Sequence, residues 1–104
     1  MQIFADSAAK ILKDKNLDGI DFDLEDYNAN PLDVAKVISL TRTAFDSSFS
    51  SVRKLIVVTP ECVGVYQGTA VTNDARNAFN YWVPILNQVI NQVDLVQPQA
   101  YNNW

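Results

Sequence analysis

The sequence has no histidine, one cysteine, three glycines and eight basic residues among 104. Each shortage excludes something. Without histidine, the commonest side chain that exchanges protons near neutral pH is missing, so proton transfer falls to carboxylates or tyrosine. The lone Cys62 cannot close an internal disulfide. With no histidine and no Cys-x-x-Cys beside it, it makes a poor metal ligand, and a small buried apolar role is expected. The lysines and arginines are scattered and the formal charge is −4, so there is no basic stripe to displace counterions from a nucleic acid. No apolar run approaches the ~20 residues that cross a bilayer. The opening "MQIFADSAAKILKDKN" lacks the basic start and apolar centre of a signal peptide. Neither G-x-G-x-x-G nor a P-loop occurs, which removes the usual nucleotide-binding fingerprints.

What is present suffices for one folded domain. Apolar residues make up 48% of the chain and charged residues 19%, enough buried surface to offset the entropy of ordering. The opening segment reads as an amphipathic helix with Phe4, Ala8, Ile11 and Leu12 on one face. "GIDFDLE" (19–25) alternates with period 2 and reads as a strand. Asn30-Pro31 is a strong helix start, with Asn as cap, Pro in the first position and Asp33 near the positive end of the dipole. That helix runs to about Asp46, with Val34, Val37, Ile38, Thr41 and Phe45 on one face. "KLIVVTP" (54–60) reads as a buried parallel strand. After the loop "ECVGVYQGTAVTN", a third helix is expected from about Asn73 to Asn91, bent or restarted at Pro84. "VDLVQPQAYNN" (93–103) returns to an extended pattern in which Pro98 must occupy an unpaired amide position.

The order α-β-α-β-α-β implies three parallel strands joined by helical crossovers. In an open doubly wound sheet both strand faces are covered and should be apolar. Here Asp21, Asp23 and Glu25 share one face while Ile20, Phe22 and Leu24 share the other. Acids inside and helix-packing residues outside suit the wall of a (β/α)8 barrel. The expected fold class is therefore α/β, a partial TIM barrel, with the active-site mouth at the C-terminal strand ends.

Three carboxylates in file, spaced by roughly 6.5–7 Å, cannot all ionise comfortably. One is expected to keep a proton near neutral pH. Glu25, last in the row and longest, is the natural general acid, and Asp23 behind it stays charged or shares a proton with Asp21. That division of labour suits glycoside cleavage. An EF-hand is excluded, because no frame starting at Asp18, Asp21 or Asp23 places glycine sixth and glutamate twelfth. A Mg²⁺ site at the strand end, serving phosphotransfer or lyase chemistry, is the other-class alternative.

These residues resemble a known family. "DGIDFDLE" is similar to the D-x-x-D-x-D-x-E signature of glycoside hydrolase family 18, the chitinases and their relatives, carried on the fourth barrel strand. All four acids match, at Asp18, Asp21, Asp23 and Glu25. "TPECVGVYQG" resembles the fifth-strand segment, and "YWVPILNQVINQVDLVQPQAYNN" resembles the following helix and a sixth strand ending in Q-x-Y-N. The resemblance implies hydrolysis of β-1,4 bonds in chitin or N-acetylglucosamine oligomers with retention. Glu25 protonates the glycosidic oxygen, and the substrate's own 2-acetamido oxygen attacks to give an oxazolinium. Asp23 orients the acetamido N–H, Asp21 tunes Asp23, and Tyr101 holds the acetamido carbonyl. Gln99, Asn102 and Glu61 line the sugar subsite. Asp18 and Gly19 are structural parts of the motif, with Asp18 on the opposite strand parity. No metal or cofactor is implied, and no nucleic acid or membrane partner.

A barrel of this class needs about 250 residues. Residues 1–104 are therefore expected to be one partial catalytic domain, an internal fragment spanning the fourth to sixth strands. Alone it should be weakly active or inert, and able to self-associate through its unpaired sheet edges. By resemblance the parent is secreted. The alternatives are an endo-β-N-acetylglucosaminidase acting on glycans, or a chitinase-like lectin that binds without cleaving; lectins of this kind usually lose the terminal acid, and Glu25 is present.

Overall fold

The computed structural model describes residues 1–65 and 80–101. Helix α1 spans Gln2–Lys15 and ends where Asn16 turns into the left-handed region at φ 53°, its N–H reaching the carbonyls of Leu12 and Lys13. Asparagine tolerates this conformation better than most residues. The buried face is Ala5, Ala8, Ala9 and Leu12. This corrects the expected stripe: Phe4 and Ile11 are exposed. Small alanines let α1 lie close against α2, which turns the bulkier residues outward, and Phe4 instead sits with its ring 6.0 Å from that of Phe22.

Strand β1, Gly19–Phe22, is shorter than the alternating run that announced it. It pairs in parallel with β2, Leu55–Val58, from Gly19 opposite Leu55 to Phe22 opposite Val58. The ladder closes with the Thr59 N–H donating to the Phe22 carbonyl, and Pro60 has no N–H to extend it. The alternation persists beyond the ladder. Ile20, Phe22 and Leu24 pack against the core, while Asp21, Asp23 and Glu25 are exposed.

Gly19 has a steric reason to be glycine, since a Cβ there would lie 2.7 Å from the Leu55 Cβ. β2 is not buried on both faces as its composition suggested. Ile56 and Val58 are wholly buried, but Leu55 is exposed and Val57 only half-buried. Helices cover one face of the sheet, and the acid-bearing face is open.

Helix α2, Pro31–Ser48, begins as its sequence announces, with the Asn30 side chain accepting from the Leu32 N–H at 2.9 Å. Ile38, Thr41 and Phe45 are its most deeply buried positions. Of the expected third helix, positions 73–79 lie outside the described residues, and α3 spans Trp82–Val89. Pro84 sits in its first turn, where a missing N–H costs nothing, so proline marks the helix start rather than a bend. Tyr81 and Trp82 are core residues, packed edge to face with centroids 6.4 Å apart.

Strand β3 is only Leu95–Val96, paired in parallel with β2. Around Pro98 the pairing continues intermittently: Gln97 N–H donates to the Val58 carbonyl and Gln99 N–H to the Pro60 carbonyl. The prolyl nitrogen between them faces away from β2. The strand order β1-β2-β3, all parallel and alternating with helices, is that of a partial (β/α) barrel wall.

Candidate active site

Polar side chains gather where the strands run out at their C-terminal ends. Asp21, on β1, accepts a 2.7 Å hydrogen bond from the Thr59 hydroxyl. Asp23 and Glu25 follow on the same face, and one group joins them. The side-chain nitrogen of Gln99 donates to Asp23 Oδ1 at 2.9 Å, to Glu25 Oε1 at 3.1 Å and to the Thr59 carbonyl at 3.2 Å. Gln99 lies three residues past β3 and meets acids on the extended segment that continues β1. Neighbouring strands lie about 4.8 Å apart, so the long glutamine side chain and the acids opposite bridge the width of β2 between them.

The loop after the acid row is held from behind. Tyr27 is buried with its ring 5.4 Å from that of Tyr81, and the Tyr81 hydroxyl donates to the Ala29 carbonyl at 2.9 Å. Burial, and then the charge of Asp26, push the Tyr81 phenol above its ordinary value, so it stays a donor across the working pH range. Core aromatics thereby set where the chain leaves Glu25.

The remaining predicted site residues do not all join this cluster. Glu61 is buried, and its backbone forms an isolated parallel bridge with Gln99. Tyr101 lies two residues past Gln99 and is 63% exposed. Asn102 lies outside the described residues. Asp18 precedes β1 with its side chain exposed, while its carbonyl accepts from the Leu55 N–H at 2.9 Å. Cys62 is half-buried with a free thiol. Among the described residues no group of three or more Cys, Asp or Glu side chains is arranged to hold a metal ion.

Two participants escaped the sequence reading. Thr59 supplies both a hydroxyl to Asp21 and a carbonyl to Gln99, and only the β1–β2 register places it there. Asp94 is the other, at the opposite end of the sheet. Its carboxylate accepts from the Arg53 Nε at 2.6 Å and the Ile56 N–H at 2.8 Å, with the buried Arg42 guanidinium 3.6 Å away. Burial raises its pKa, but the Arg53 hydrogen bond, the Ile56 amide and the two guanidinium charges together hold it below the ordinary carboxylate value.

No protein-family model matches this sequence, and no curated protein matches it. Among solved structures, a GH18 chitinase from Pseudoalteromonas aurantia is similar, with a TM-score of 0.72 and 25% identity over 98% of this chain. The fold is GH18-like. The chain spans 35% of the length of that chitinase. In this GH18-like segment the open face carries Asp21, Asp23 and Glu25 and the opposite face packs on the helical core. The arrangement can bring one carboxyl to a leaving oxygen while a second, held about one hydrogen-bonded amide away, faces the developing positive charge.

Proposed function

We propose that this chain supplies the fourth to sixth strands of a GH18-type barrel that hydrolyses β-1,4 bonds in chitin or N-acetylglucosamine oligomers. The observation that carries the reading is the shared contact of Asp23 and Glu25 with one Gln99 amide at the C-terminal end of the sheet, in a chain whose fold resembles that of a GH18 chitinase. Glu25 protonates the glycosidic oxygen. The substrate's acetamido oxygen then attacks the anomeric carbon from the opposite face, forming an oxazolinium while the C–O bond to the leaving sugar breaks. Water opens the oxazolinium with Glu25 now acting as base, so the configuration is retained. Asp23 orients the acetamido N–H, Asp21 supports Asp23, and Tyr101 holds the acetamido carbonyl in line. An insoluble extracellular polymer as substrate goes with a secreted parent protein.

The test is hydrolysis of a chromogenic N-acetylglucosamine oligomer by the 104-residue chain and by the chain extended to a full barrel, each beside Glu25→Gln and each with and without EDTA. The expected result is robust turnover only from the extended protein, lost on Glu25→Gln and indifferent to EDTA. Equal rates from the parent and the Glu25→Gln variant would remove Glu25 as the acid. Loss of activity in EDTA would favour metal-dependent chemistry instead.

A further inference from the structure

We infer that Gln99 is the positioning residue of the acid pair, an uncharged clamp whose amide NH2 holds Asp23 and Glu25 in one geometry; the assignment rests on the glycosidase reading above. Gln99 is 6% exposed. Among the described partners of its amide nitrogen, Asp23 Oδ1, Glu25 Oε1 and the Thr59 carbonyl are all acceptors. Turned the other way, the amide would aim its oxygen at three oxygens. The chemistry of the neighbours therefore decides which atom of the amide faces them.

The arm is anchored as well as aimed. Gln99 N–H donates to the Pro60 carbonyl at 2.8 Å, and the residue bridges in parallel with Glu61. With the backbone fixed, the side chain has the length to meet the two acids on the segment beyond β1. Asparagine, one methylene shorter, would fall short by about 1.5 Å. A lysine or arginine could also gather the two carboxylates. It would do so with a full positive charge, which favours the ionised form of a neighbouring acid and so opposes proton donation. A neutral donor draws the two carboxylates together without adding a full charge beside them. Gln99 in this role acts on the acids, not on the sugar.

The first experiment needs no substrate. In the 15N-labelled 104-residue chain, the side-chain NH2 resonances of Gln99 are assigned by their disappearance in Gln99→Met. Asp23→Ala and Glu25→Ala should each move those resonances, while Asp33→Ala, on an exposed turn of α2, should leave them in place. Gln99 resonances indifferent to both alanine substitutions would sink the clamp, and because Asp23 and Glu25 are exposed, both variants should stay folded. The second experiment is kinetic, on the barrel-length protein. Gln99→Met should lower kcat on the order of tenfold to a hundredfold with KM within about twofold, the pattern of misplaced catalytic groups. A raised KM with kcat unchanged would instead make Gln99 a sugar contact and overturn the proposal. A silent amide beside Glu25-dependent turnover removes the clamp alone. A responsive amide beside Glu25-independent turnover removes the glycosidase reading, and with it the catalytic meaning of the clamp.

Discussion

The two ends of the small sheet each collect carboxylates, and they treat them in opposite ways. At the N-terminal end, Asp94 is enclosed by Arg53, Arg42 and the Ile56 amide. At the C-terminal end, Asp23 and Glu25 meet no cation among the described ion pairs and share only a neutral amide. A carboxylate matched by guanidinium groups is committed to staying ionised and serves the fold. Those held only by a neutral amide stay exposed on the open face, accessible to a substrate. Barrels in general divide their ends this way, with stability below and activity above.

The contrast can be broken most sharply at Asp94. Asp94→Ala removes one of the two carboxylates beside the buried Arg42, Asp46 remaining at 3.6 Å, and takes the acceptor from the Ile56 N–H; it should cost about 3 kcal/mol of folding stability, read as a lowered urea midpoint with an unchanged slope. Gly19→Ala should follow, at about 2 kcal/mol, because the new methyl meets Leu55 and pushes β1 off β2. Acid should separate the two ends further. Folded Asp94 holds its charge to lower pH than it would unfolded, so its contribution is fully present above the ordinary carboxylate range and disappears as pH falls through the lowered value. Stability followed from about pH 5 to pH 2 should therefore fall less steeply in Asp94→Asn than in the parent; parallel curves would show that Asp94 is not the linked group. The smallest expected effect is at the other end. Glu25→Gln should change stability by no more than about 0.5 kcal/mol, and a larger loss would mean that the upper acids also hold the fold together.

Much of this can be read from residues close together in the chain. Asn30-Pro31 announces the start of α2, and the cap is made by the Asn30 side chain. The alternation from Gly19 to Glu25 separates the acids from the apolar residues, and it does so even where β1 has lost its ladder partner. Local pattern misleads where a neighbour in space overrules it. The α1 periodicity points to Phe4 and Ile11, but close approach to α2 selects the alanines. Pro84 looks like an interruption in the letters alone, because the start of α3 depends on how Tyr81 and Trp82 enter the core.

Which residue types share a face is a period-2 or period-3.6 property, and it survives without any tertiary contact. So the order of elements, the helix start and the one-sided file of acids are already present in the string of letters. How far one strand slides along the next, and how strongly the sheet curls, are not written locally. Thr59 meeting Asp21, Gln99 reaching past β2 to Asp23 and Glu25, and Asp94 closing on Arg42 and Arg53 all depend on register and curvature. Those quantities emerge only when separate segments are packed against a common core.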